Sequence, residues 1–235
     1  MKKRVLFFDC FYSFNSLLSP LSLSRLTIIN KKLAKAKAPK KNSNTIYLAA
    51  FNGQLCSILY FIRSKDQFDW ELCYAAEGGH LDLCKYFINL GAKDFNQALH
   101  YAAGGGHIDL CKYFIMIGAT NFNWSLTYAA LGGHLDLCKY FINLGATNFN
   151  WALENAALYG HLNLCQYFVK LGTTDVNRAL ASAAQGGHID LCKYFIKLGA
   201  TEFIFALRIA KNQSTKDFLA GLIQEKKNEK KGLVF

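Results

Sequence analysis

The chain has 235 residues, 52% of them apolar and 14% aromatic, and carries 27 Lys and Arg against 16 Asp and Glu for a net charge of +11. No apolar run approaches the ~20 residues that a membrane-spanning helix needs. The charge is confined to the ends: residues 1–41 hold ten basic side chains against Asp9, residues 225–231 hold four Lys against two Glu, and residues 42–224 hold 13 of each sign. That neutral middle lacks the basic stripe that phosphate binding requires.

In chain order, residues 1–41 come first and differ from the rest of the chain. Met1-Lys2-Lys3-Arg4-Val5-Leu6-Phe7-Phe8 begins like a secretory signal, but Asp9 interrupts the apolar run and no small-x-small cleavage site succeeds it. From Leu21 to Lys41 the segment is Ser-rich and then Lys-rich, a composition shared by a basic amphipathic helix, a nuclear address and a solvated linker. A basic, flexible linker is the reading adopted. Thr45 to Arg63 is a degraded copy of the units between 69 and 200, with Gln54 in place of a histidine.

From there the sequence repeats. A Gly-His pair recurs at His80, His107, His134, His161 and His188, every 27 residues, and such a period is the mark of a solenoid. Each copy opens with Asp or Asn at Asp69, Asn96, Asn123, Asn150 and Asn177, read as the N-cap of a helix of about two turns. Within it Leu72, Ala75 and Ala76 and their equivalents hold small or invariant side chains where a neighbouring backbone comes close, and glycines end it. A second helix runs from Leu81 to Leu90, with Leu83, Cys84, Phe87 and Ile88 on one face and Asp82, Lys85 and Asn89 on the other. Gly91, Gly118, Gly145, Gly172 and Gly199 close it. A lone copy buries too little surface to offset its ordering entropy, so neighbours must stack and the end copies must differ. The last unit, Phe205 to Ile223, does differ: Gln213-Ser214-Thr215 stand where Gly-Gly-His belongs, ahead of a charged tail over 225–235.

The string Leu99-His100-Tyr101-Ala102-Ala103, then Gly106-His107-Ile108-Asp109-Leu110-Cys111-Lys112-Tyr113-Phe114-Ile115 and Gly118-Ala119, resembles the two helices of an ankyrin repeat. The resemblance covers residues 43 to about 223 and implies an all-α helix-turn-helix solenoid of about seven repeats, five full and two degraded as caps, within an array over 42–224. An ordinary ankyrin repeat has about 33 residues and a Thr-Pro-Leu-His turn. Here seven residues separate Gly118 from Leu126 and no Thr-Pro occurs, so the loops between repeats are shortened. Such 27-residue repeats resemble those of large DNA viruses of amoebae and some protists. The resemblance also implies that the histidine of Gly-His bonds the turn and its neighbours, a structural role for His80, His107, His134, His161 and His188.

Eight cysteines suggest no disulfide framework, because Cys84, Cys111, Cys138, Cys165 and Cys192 share one core position. Stacked helices lie about 8–10 Å apart, whereas a bridge needs Cα atoms within roughly 7 Å. Free thiols in this number favour a reducing compartment, hence an intracellular protein, cytoplasmic rather than nuclear and not secreted. The recurring His-x-x-x-Cys offers one histidine and one cysteine per copy, too few for a closed four-ligand zinc site, so no metal is expected. No phosphate loop, nucleophile elbow or carboxylate pair appears, and neither an enzyme activity, a cofactor nor a small-molecule substrate is assigned.

Binding remains, and comparison of the copies places it. Stacking fixes Leu72, Leu99, Leu126, Leu153 and Leu180 and the paired alanines, whereas the first helix varies at Trp70, Gln97, Trp124, Trp151 and Arg178, at Cys73, His100, Thr127, Glu154 and Ala181, and at Glu77, Gly104, Leu131, Leu158 and Gln185. First helices of the ankyrin family line a concave face that holds protein partners. By that resemblance Trp124, Thr127, Leu131, Trp151, Glu154, Leu158 and Tyr159 form a partner-binding patch on a monomer. Trp70, Trp124 and Trp151 fit equally well as packing against the shortened loops. Association with a membrane surface or nucleic acid through the basic termini, with the array as a spacer, is the alternative function.

Overall fold

The computed structural model describes residues 68–232. The basic segment 1–41, the degraded unit Thr45–Arg63, Cys10 and Cys56 lie outside the described residues. Two compact units divide the chain, 1–93 and 94–235. The described part of the first is one antiparallel helix pair, α1 (Asp69–Glu77) and α2 (Leu81–Asn89). The second unit contains α3 (Phe95–Gly104), α4 (Ile108–Met116), α5 (Phe122–Leu131), α6 (Leu135–Asn143), α7 (Phe149–Leu158) and α8 (Leu162–Lys170). It continues with α9 (Val176–Gly186), α10 (Ile189–Lys197), α11 (Phe203–Ile209) and α12 (Gln213–Gly232). The fold is an all-helical helix-turn-helix solenoid; no strand occurs among the described residues.

The core is one set of side chains used in every copy. Leu99, Leu126, Leu153 and Leu180, the paired alanines, Cys111, Cys138, Cys165 and Cys192, and Phe114, Phe141, Phe168 and Phe195 are all fully buried. Alanine pairs let the first helices approach, and α3, α5, α7, α9 and α11 pack in one continuous row. The second helices pack on their own first helices and approach one another less closely. A stack that is tighter on one side bends toward that side, so the first-helix row is the inner side of the second unit.

The glycine signals are met by backbone geometry. Gly118, Gly145, Gly172 and Gly199 come after the second helices with φ between +90° and +110°, the left-handed conformation that a side chain disfavours. The second residue of each Gly-Gly pair is also left-handed, and at Gly133 (φ +84°) an added Cβ would lie 2.7 Å from the His161 ring. Left-handed backbone and a neighbouring imidazole together exclude any side chain there.

Two expectations are corrected. The first helices α1, α3, α5, α7 and α9 run 9–11 residues, not two turns, and α11 is as short as seven. α3, α5 and α9 start two residues earlier, because their N-caps are Asp94, Asn121 and Asp175, whose side chains accept from the Gln97, Trp124 and Arg178 amides at 3.0, 3.4 and 3.1 Å, while α1 starts at Asp69 itself. Each loop carries two such residues around an apolar one, as in Asn121-Phe122-Asn123, and helix propensity alone does not say which one caps. The second residue joins repeats instead. Asn96 Oδ1 accepts from the amides of Thr120 (2.8 Å) and Asn121 (3.0 Å), Asn123 from Thr147 (2.8 Å) and Asn148 (3.1 Å), and Asn177 from Thr201 (2.8 Å) and Glu202 (3.2 Å). Asp69 does the same for Lys93 at 2.6 Å within the first unit. The shortened loop has no hairpin to satisfy these amides, and one side chain from the preceding copy satisfies two.

The last unit ends the array chemically. Position 204, which holds Asn123 and Asn177 in earlier copies, is Ile204, and it has no succeeding loop to bond. Gln213-Ser214-Thr215 open α12, where Asn212 Oδ1 caps the Thr215 amide at 2.8 Å and Asn212 Nδ2 donates to Gly187 O at 3.3 Å. The charged run from Glu225 continues α12 to Gly232.

Candidate functional site: the outer surface of the first helices

A second ladder crosses the repeats at the opposite end of the first helices. His134 Nε2 lies 3.0 Å from Gly104 O, His161 Nε2 2.9 Å from Leu131 O and His188 Nε2 3.1 Å from Leu158 O. A carbonyl only accepts, so each Nε2 carries the proton and donates it to a carbonyl that the helix end leaves unbonded. His80 and His107 hold the same place ahead of α2 and α4. The partnering cysteines sit in the core, where burial pushes the thiols of Cys111, Cys138 and Cys165 up to about 12 and Cys192 to about 11. They are unreactive thiols at neutral pH. Among the described residues no group of three or more His, Cys, Asp or Glu converges on a point where a metal would sit.

The variable positions separate into those that reach the surface and those that do not. Trp124 and Trp151 occupy the third position of α5 and α7, 46% and 44% exposed, and meet edge to face with ring centroids 5.5 Å apart and planes at 82°. The indoles thus pack on each other across the repeat boundary. Trp70 instead stacks on Tyr74 of its own helix at 6.2 Å. Thr127 is withdrawn from the surface: 4% exposed, its hydroxyl donates to Asn123 O at 3.1 Å. Helix geometry explains the error, since positions i, i+4 and i+7 share a stripe. Trp124, Tyr128 and Leu131 form that stripe, and Tyr128 takes the place expected of Thr127. Tyr128 is half-buried, stacked by His100 (5.6 Å) and met by Tyr101 (5.8 Å). Its position runs Tyr74, Tyr101, Tyr128, Asn155 and Ser182, so it varies between copies, and counting by 3.6 from Trp124 reaches it.

On α7 the stripe is Trp151, Asn155 and Leu158. Glu154, one turn beyond Trp151, faces the next repeat, where Arg178 Nε approaches its Oε1 at 3.1 Å and Asp175 Oδ2 at 4.0 Å. Burial holds the Glu154 carboxyl above the usual carboxylate range, Arg178 opposes this and Asp175 adds to it. The guanidinium remains largely open, its side chain 58% exposed against 19% for Glu154. In the sequence Arg178 is one variable residue among several, and only this pairing sets it apart. Leu131 and Leu158 are half-buried at the ends of α5 and α7.

Tyr159 breaks the rule of its own position. Other copies have Gly105, Gly132 and Gly186 there, and a Cβ at Gly132 or Gly186 would collide with the carbonyl oxygen of Gly104 or Leu158 and with a histidine ring. At Tyr159 φ moves to −100° from the −76° of Gly105 and Gly132, and half of the phenol (51%) stands in solvent.

Charge is partitioned between the two rows. Over residues 94–210 every lysine (Lys112, Lys139, Lys170, Lys193, Lys197) lies on a second helix, and the first helices carry only Arg178 and Arg208 as cations. A surface rich in Trp, Tyr and Arg and free of Lys has the composition of an interface centre.

Tandem helix pairs stacked through a constant core, with a variable inner row, define a helical repeat protein. The family model for ankyrin repeats (three copies) matches in four overlapping registers, residues 46–124, 72–151, 99–179 and 126–204, and the chain belongs to the ankyrin repeat family. No curated protein matches the chain. Ankyrin repeats are generally protein-interaction modules and scaffolds without catalytic activity of their own. Among the described residues no helix is long and apolar enough to cross a membrane.

Proposed function

We propose that this chain is a non-enzymatic interaction module that holds a protein partner on the inner row of first helices, through Trp124, Tyr128, Leu131, Trp151, Leu158 and Tyr159. The carrying observation is Tyr159, an exposed aromatic where neighbouring copies need glycine to avoid a collision. A residue that breaks a local rule and exposes apolar surface adds nothing to the fold, and such violations collect at functional sites. Free buried thiols support a reducing intracellular setting.

The test replaces this surface with residues that the chain itself uses at the same positions: Leu131→Gln and Leu158→Gln after Gln185, and Tyr159→Gly after Gly186. The full chain and this triple variant are used to capture partners from a cell lysate, and each is unfolded in urea. Partners held by the native chain and lost by a variant at least as stable support the reading. Identical partner sets on both would sink it.

A further inference from the structure

The two indoles at the centre of the inner row form a corner. Their planes stand at 82° and each ring is nearly half open to solvent, so two π-faces border one exposed site. Elsewhere the chain supplies its own cation to such faces: Arg208 lies 5.4 Å from the ring centroid of Phe205, which holds the Trp151 position two copies later, and Lys226 lies 4.4 Å from that of Phe203. Among the described residues no Lys or Arg covers Trp124 or Trp151. Beside the corner, Glu154 and Asp175 outnumber Arg178 by two charges to one, and Arg178 is turned toward both acids. No lysine stands on the first helices of this unit. The site has aromatic faces that no described cation covers, with an excess of negative charge beside them.

We propose that the Trp124–Trp151 corner receives a cationic side chain, lysine or arginine, of the partner segment, with Glu154 and Asp175 supplying the complementary charge. The inference rests on the inner row being the docking surface and names what that surface recognises. An aromatic face attracts a cation through its quadrupole, most strongly for tryptophan, and the perpendicular pair presents two such faces to one charge. A purely apolar side chain would gain contact area without using the charge.

The full chain is titrated with N-acetyl-lysine amide, N-acetyl-arginine amide and the neutral N-acetyl-norleucine amide, with the indole Nε1–H signals monitored by NMR. Trp70, stacked on Tyr74, is the internal reference. The cationic probes should shift the Trp124 and Trp151 signals with about three- to fivefold tighter binding than norleucine, the tighter of the two naming the cation. Trp151→Leu should abolish the shift at Trp124, and Glu154→Gln should weaken binding while both indole signals persist. Equal or tighter binding of norleucine, or equal shifts at Trp70, would overturn the proposal. The readout needs no protein partner: a cation-selective corner on a chain that captures nothing would leave this assignment standing and remove the functional one.

Discussion

The first and second helices of the 94–235 unit share one core yet have opposite outer surfaces. Along the second helices one outward pair recurs, with Asp109–Lys112, Asp136–Lys139 and Asp190–Lys193 each at 3.8 Å in the open, while the exposed position at the helix end runs Met116, Asn143, Lys170 and Lys197. Only α8 departs, and there both charges go together, to Asn163 and Gln166. Along the first helices the same position runs Gln97, Trp124, Trp151, Arg178 and Phe205. The core constrains both rows equally, since Leu126 and Phe141 are equally buried. The recurring charge pair on one row and the changing Trp, Arg and Phe on the other fit the docking proposed for the inside of the bend, with solvent on the outside.

The comparison breaks most readily where the rows are tied together. Asn123→Ala removes the acceptor of two amides in the next loop. With each orphaned donor worth about 1 kcal/mol or more, the midpoint of urea unfolding should fall by the equivalent of about 2 kcal/mol. Asn123→Asp should recover most of it, because Asp69 already performs the same bond. A smaller effect of the opposite sign is expected at Thr173, which stands where other copies have Ala119, Ala146 and Ala200 and buries a hydroxyl without a partner. Its amide bond to Phe168 O is stretched to 3.4 Å against 2.9–3.0 Å in those copies. Thr173→Ala should stabilise the chain by about 1 kcal/mol in the same measurement.

His100 gives the inner row a pH dependence. Burial lowers its pKa, opposed by the Asn121 backbone and by Asp94, and it lies stacked on Tyr128. The folded chain thus binds this proton less readily than the unfolded one. Its contribution to stability is complete above the unfolded value near 6.5 and declines as pH falls below it. Stability measured from pH 7.5 to 5 should show this slope, and His100→Gln should remove its share. Smallest of all, Asp136→Asn with Lys139→Gln, which copies Asn163 and Gln166, should change stability by less than about 0.5 kcal/mol, as exposed pairs do. A large loss there would mean that the second-helix surface is not merely solvated.

The repeat period, the helix pair, the buried Leu, Ala, Cys and Phe positions and the glycine turns were legible in the sequence, because stacking imposes them identically on every copy and recurrence exposes them. The candidate surface was legible only in part. Trp124, Leu131, Trp151, Leu158 and Tyr159 reach the inner row, whereas Thr127 turns back to Asn123 and Tyr128, one residue further along the helix, completes the stripe. The same limit misplaced the caps, since Asn121 and Asn123 are equally good acceptors and only the position of the next loop tells which one faces its own helix and which the next copy. Sequence by itself thus determined what one repeat is, a matter of local period and composition. Tertiary structure alone decided what passes between repeats: the asparagine and histidine ladders, the Glu154–Arg178 pair and the perpendicular indoles, each joining residues 24 to 30 apart. Such contacts depend on the spacing and rotation of stacked helices, which the sequence of a single repeat does not contain.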